Sequence, residues 1–224
     1  MTDHAVPSIR SLLHDAARPA NDAPAFDPAE APADPMALLT QWIRAAAEGG
    51  AVQPQAATLS TATADGGAQA RTLLLKDVSD GALWFATSSL SPKGRQMTED
   101  PRIALTFYWR EQGRQIRVVG RAAPGPRDVS VADFTSRHPD SRAGAIAQPQ
   151  SSVVTSPGDA RAHLDAAKAR IAADDSFAPD DWTAYRVDPT AVEFWQATTG
   201  HDQVRLGYSR PTVDGGWTRA ELWP

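Results

Sequence analysis

A chain of 224 residues, 42% of them apolar, is long enough to bury one substantial core. Its 22 Lys and Arg against 27 Asp and Glu leave a net charge of −5, so no general basic surface invites nucleic acid or an anionic membrane, and any small anion must meet a local cluster of cations. The absence of cysteine excludes disulfides, thiolate catalysis and cysteine-ligated metals, while no apolar run approaches the roughly 18 residues of a membrane span and the first residues lack the plan of a signal peptide, so a cytoplasmic protein is expected.

Residues 1–33 are rich in Ala, Pro and Asp, and such a segment buries too little apolar area to offset its ordering entropy. A mobile arm is expected there, with Ile9, Leu12 and Leu13 able to form a short docked helix. Asp34-Pro35 supplies a cap and a first-turn proline, and the stripe Leu38, Leu39, Trp42, Ile43 predicts a helix that Gly49-Gly50 ends. From Ala56 the pattern changes to strands. Two of them flank Asp65-Gly66-Gly67 as a hairpin, the second carrying RTLLLK. Leu73, Leu74 and Leu75 read as a buried strand, and alternation puts Arg71, Leu73 and Leu75 on one face and Thr72, Leu74 and Lys76 on the other. Cations on opposite faces suggest two separate anionic partners, although strand ends that merely reach solvent are the plainer explanation.

A turn at Ser79-Asp80-Gly81 leads into ALWFATSS, and Ser91-Pro92 opens a short helix, SPKGRQM. RIALTFYWR and RQIRVVGRAAP form another hairpin. PRDVSVADFTSR reads as a helix with Val129, Ala132 and Phe134 as core contacts, and residues 138–156 read as a Pro/Ser/Gln-rich connection. A helix carrying Leu164, Ala167 and Ile171 follows, then strands in WTAYRVD, AVEFWQ, QVRLGYS and GWTRAELWP. About eight strands joined by tight turns predict a mainly β chain of the α+β class, an antiparallel barrel with peripheral helices. No Gly-rich phosphate loop follows a strand.

Several residues are candidates for binding. Lys93 falls in the first turn of a helix, where free N–H groups favour an anion; a solvated surface lysine is the bland alternative. Gln115 sits among apolar strand residues and suits an amide- or imide-bearing ligand, or simply an edge strand. Gln150 with Ser151 and Ser152, and Arg137 with Ser141, suit a phosphate or ordinary loop capping. Trp195 reads as core or as a ligand platform. Arg205, among apolar strand neighbours, needs an anion or a carboxylate. The five histidines show no metal-ligand spacing, so no metal site is expected.

Taken in order, RTLLLK, FAT, SPKGRQM, GRQIRVVG, SRHPDS, QPQSS and EFWQ through to LWP resemble the pyridoxamine/pyridoxine 5′-phosphate oxidase family of flavin enzymes, over about residues 34–224. The resemblance implies an FMN-binding antiparallel split β-barrel across residues 34–224, and a homodimer with FMN in the subunit interface. It implies that Arg71, Lys93 and Ser151 hold the FMN phosphate. Thr72, Leu73, Leu74, Lys76, Ala86, Thr87, Gln115, Gln150, Trp195 and Arg205 would line the rest of the cofactor. Lys76, Arg137 and Ser141 match positions that hold the phosphate of pyridoxine or pyridoxamine 5′-phosphate. The implied activity is oxidation of an amine- or alcohol-bearing carbon with oxygen as acceptor, forming hydrogen peroxide.

Three positions depart from the family pattern. His201-Asp202-Gln203 stands where an Arg-x-His pair contacts the substrate ring, leaving His201 and Gln203 as candidate catalytic residues. Asp133 stands in place of a phosphate-binding tyrosine, and Pro92 in place of an arginine beside Lys93. Two further readings therefore stay open: a flavin enzyme of the same fold acting on a substrate outside vitamin B6, and a non-catalytic flavin-binding protein.

Overall fold

The computed structural model describes residues 25–147, 150–154, 156–198 and 203–224. Its strands are β1 (Ala56–Ala62), β2 (Ala68–Leu74), β3 (Asp77–Ser79), β4 (Ala82–Ser88), β5 (Arg102–Trp109), β6 (Arg114–Pro124), β7 (Trp182–Ala197), β8 (Gln203–Ser209) and β9 (Thr218–Glu221). The α-helices among the described residues are α1 (Pro35–Glu48), α2 (Pro92–Glu99), α3 (Arg127–Thr135), α4 (Pro139–Ile146) and α5 (Pro157–Ala173). Every strand pairing is antiparallel, in the order β2-β1-β5-β6-β7-β4-β3, with β8 added to β7 and β9 to β8. The two ends of that order, β2 and β3, are consecutive in the chain. Leu75 donates to Gln55 O and Lys76 to Trp84 O, so the link between them draws the two sheet edges together. The expected antiparallel split barrel with peripheral helices is what forms.

One strand does the work expected of two. WTAYRVD and AVEFWQ read as separate strands because Pro189 lies between them, yet β7 runs unbroken through 16 residues. Its first half pairs with β4 up to Val187, and its second half pairs with β8 from Ala191. Pro189 falls in the gap between those two partners, where its missing N–H leaves no rung broken. On its other side it faces Gly120, at a register shift between Val119 and Gly120; a Cβ on Gly120 would lie 2.4 Å from Asp188 O. The barrel splits at this point because one strand changes partners there.

The interior is closed by α1. Leu39, Leu59, Leu83, Phe85, Leu105, Phe107, Ile116, Val118 and Phe194 are buried together, and Trp42 meets Phe194 edge-on at 5.2 Å. Phe26 packs edge-on against Trp42 at 5.1 Å, and Tyr208 donates to Pro32 O at 2.7 Å. The segment from Phe26 is therefore docked on the barrel and does not belong to a mobile arm reaching to residue 33; residues 1–24 lie outside those described. A second core gathers Phe134, Ala143, Ala167, Ile171 and Trp182 under the helices, with Leu164 at its margin.

Three local expectations are corrected. Strand β2 is an edge strand, so Leu74 is 39% exposed and only Leu75, just beyond the strand, is fully buried. The alternation itself holds, with Arg71 and Leu73 half-buried against Thr72 and Leu74 facing out. Helix α3 turns Ser130 and Phe134 inward and leaves Val129 and Ala132 exposed, because the Ser130 hydroxyl accepts from Ala184 N and fixes the helix on β7. Within the supposed connection, α4 forms from Pro139, capped by the His138 ring accepting from Asp140 N. No helix among the described residues is long and apolar enough to cross a membrane.

Candidate functional site

Helix α2 begins where β4 ends. Ser91 caps it by accepting from Gly94 N at 3.2 Å, and Pro92 takes the first helical position. A Cβ on Gly94 would lie 2.5 Å from Ser89 O and 2.6 Å from Ser88 O, so only glycine lets the helix sit this close to the strand end. That contact carries the neighbouring Lys93 inward, where it is 8% exposed. Its ammonium donates to Gln150 Oε1 at 2.7 Å, Thr87 Oγ1 at 3.3 Å and Ser91 Oγ at 3.5 Å, all neutral oxygens. Burial, then the nearby charge of Arg71, pulls the Lys93 pKa down to about 8.

Arg71 reaches towards the same helix from β2. Its guanidinium donates to Thr61 Oγ1 at 2.6 Å and to Gln96 Oε1 at 3.0 Å, again neutral partners, and burial lowers its pKa. Two cations that repel one another and bond only neutral acceptors among the described residues are chemically suited to an anion.

A cleft of about 610 Å³ opens beside them. Thr72, Leu73, Leu74 and Lys76 line it from the barrel's joining edge, Ala86 and Thr87 from β4, Lys93 from α2, and Arg137, Ser141 and Gln150 from the helical side. Ten of the sequence-derived site residues thus converge. Ser88, His138, Gly144, Ala145 and Trp182 line it as well and were not foreseen. Trp182 becomes a wall because β7 sets it opposite Ser88, a register that no local pattern reveals. Arg142, also unforeseen, is 1% exposed and ties α4 to the segment after α5 through Asp175 Oδ1 at 2.5 Å and Phe177 O at 3.0 Å. It thereby fixes the helix that carries Ser141.

The remaining candidates lie elsewhere. Gln115, Trp195 and Arg205 stand opposite one another across β6, β7 and β8, a half-buried row on the outward face. Arg205 already has its carboxylate, donating to Glu193 Oε1 at 2.6 and 2.9 Å. The Trp195 indole donates to Gln203 Oε1. Ser151 is exposed with a left-handed φ of 68° and is not part of the cleft wall. His201 lies outside the described residues.

An antiparallel barrel split at one shared strand, with a cation-lined cleft where its edges meet, defines the split-barrel class to which flavin-binding proteins belong. The family profile described as pyridoxamine 5′-phosphate oxidase matches residues 43–196, and the profile for the pyridoxine 5′-phosphate oxidase C-terminal dimerisation region matches residues 182–224. The chain belongs to the pyridoxamine 5′-phosphate oxidase family. It is 37% identical over 192 residues to a pyridoxine/pyridoxamine 5′-phosphate oxidase of Salinibacter ruber, covering 85% of this chain and 89% of that protein. It is likewise 37% identical to the enzyme of that name from Pseudomonas paraeruginosa, covering 88% and 91%. Among solved structures, PhzG from Burkholderia lata 383, in complex with tetrahydrophenazine-1-carboxylic acid, is similar with a TM-score of 0.83 at 30% identity, covering 91% of this chain and 98% of that one. An FMN-binding protein of Nostoc punctiforme shares the fold, with a TM-score of 0.67 at 17% identity over 88% of this chain and all of that one.

Proposed function

We propose that the chain is an FMN-dependent oxidase that works as a homodimer on a small anionic substrate bearing an amine or alcohol carbon. The observation that carries this reading is Lys93, a buried ammonium held by neutral oxygens in the same cleft as Lys76, Arg137 and Ser141. Lys93 and Arg71 suit the phosphate of FMN, with Ser151 beside Gln150 as a further donor. The exposed edge of β2 at Thr72, Leu73 and Leu74, with Ala86 and Thr87 facing it, suits the flat body of the cofactor. Bound there, FMN supplies acceptance of a hydride equivalent from the substrate carbon and its delivery to oxygen as hydrogen peroxide.

The chain's own part is positioning and charge. Lys76, Arg137 and Ser141 orient the anionic end of the substrate. The row Gln115, Trp195 and Arg205 belongs to the same site only if a second copy brings it to the first copy's cleft, and the match of residues 182–224 to a dimerisation region supports that arrangement. Gln203, which accepts from the Trp195 indole in that row, is then the described residue that takes up one position of the family's ring-contacting pair.

The test is direct. Purified protein should take up FMN stoichiometrically and show its visible absorbance. Anaerobic addition of small amines and alcohols that carry an anionic group, carboxylates alongside pyridoxine 5′-phosphate, should find one that bleaches that band, and oxygen should restore it with one peroxide per turnover. Failure to retain FMN sinks the reading outright. Bound FMN that no amine or alcohol reduces leaves a flavin carrier in place of an oxidase.

A further inference from the structure

The substrate end of the cleft contains its own negative charge. Asp133, on α3, is 13% exposed, and both of its carboxylate oxygens are engaged: Oδ1 lies 3.4 Å from the Lys76 ammonium, and Oδ2 accepts from the Trp182 indole at 2.9 Å. The same Trp182 ring lies under the Arg137 guanidinium, 4.4 Å from ring centroid to cation. One carboxylate therefore anchors one of the two cations and the platform of the other. Burial lowers the pKa of Arg137 and the charge of Asp133 raises it, so the two groups feel each other directly. Lys76 and Arg137 bring two positive charges and Asp133 removes one.

We propose that Asp133 is a specificity-determining residue that makes the Lys76–Arg137 end of the cleft a receptor for a singly charged carboxylate and turns away phosphate dianions. The proposal rests on the reading of this cleft as the substrate site of a flavin oxidase. A carboxylate brings the partly desolvated cluster to neutrality. A phosphate monoester, doubly charged above its second pKa near 6, leaves an excess negative charge facing Asp133. Trp182 and Lys76 hold the carboxylate from two sides, so it cannot swing away without giving up both contacts. A purely structural role, tying α3 to β7 through the Trp182 indole, needs only an acceptor oxygen and no charge.

Three probes on the FMN-loaded protein separate these roles by calorimetry at pH 7.5: benzoate, phenyl phosphate, and methyl phenyl phosphate, a phosphate diester with one charge. The wild-type protein should bind benzoate and the diester at least roughly tenfold more tightly than the phosphate dianion, a result that needs no variant. Asp133→Asn keeps the acceptor for Trp182 and removes the charge. It should strengthen phenyl phosphate by roughly tenfold or more and change benzoate far less. A wild-type preference for the dianion, equal shifts of all probes in Asp133→Asn, or no binding of any probe to either protein would overturn the proposal. Flavin loading is read separately from visible absorbance. Loss of flavin would fault the oxidase reading, whereas a reversed order of anion affinities in protein that keeps its flavin would fault this proposal alone.

Discussion

Lys93 shows how a single residue acquires a binding role. Its ammonium is buried by the close approach of α2 to β4 and is offered only neutral oxygens, so the charged form is less favoured than in water and its pKa falls to about 8. Between that value and the usual lysine value of 10.5, the unfolded chain holds a proton that the folded chain lacks. The stability contribution of this group therefore rises as pH increases through that window and is flat below it. Binding an anion reverses the preference, because the phosphate restores the charged form. FMN affinity of the flavin-free protein should thus be level from pH 7 to about 8 and decline above it, by up to about tenfold per pH unit, as fluorescence titration would record. Lys93→Met should weaken FMN and abolish that slope; a slope that survives in the variant would place the titrating group elsewhere.

At the scale of elements, the site depends on how closely a short helix approaches a strand end. Gly94→Ala would push a methyl group into two backbone carbonyls that have no freedom to move, costing about 1–3 kcal/mol in urea unfolding and loosening FMN as Lys93 is displaced. Gly144 supplies the contrast, since a Cβ there meets nothing within 4 Å and the residue lies inside α4. Gly144→Ala should hold or raise stability, by up to about 1 kcal/mol, through helix propensity alone. Equal losses in the two variants would mean that the helix–strand contact does not set the position of α2. The cap at Ser91 and the first-turn prolines of α1 and α2 were legible in the sequence because capping is decided by residues within one turn. The continuity of β7 was not, because a proline breaks a strand only when its N–H would have had a partner, and partners are set by the whole sheet.

For the whole molecule, the division of the candidate residues into two groups is the central fact. Ten line the cleft, while Gln115, Trp195 and Arg205 form a row on the outward face of β6, β7 and β8. A two-fold dimer can bring the row of one copy to the cleft of the other, and this is testable without a structure of the pair. Lys93→Met and Trp195→Ala should each be nearly inactive alone. Co-refolded in equal amounts, they should regain about a quarter of wild-type activity, because half the dimers are mixed and each mixed dimer has one intact site. No recovery on mixing would place both groups in a site within one chain, or show that the outward row has no part in it. Trp195 suits this test because its side chain points away from the barrel interior and its truncation leaves the core around Phe194 intact.

The sequence by itself determined the antiparallel class, the capped helices at Asp34 and Ser91, the alternation of Arg71 to Leu74 and the family, because each is written in residues close together or in the order of short motifs. Only the tertiary structure decided that Leu74 is exposed, that Arg205 is already paired with Glu193, that Trp182 walls the cleft and that Asp133 sits against Lys76. The last three of these join residues far apart in the chain, from 12 positions for Arg205 and Glu193 to 94 for Trp182 and Ser88, and their charges and surfaces meet only once the strands have chosen their registers.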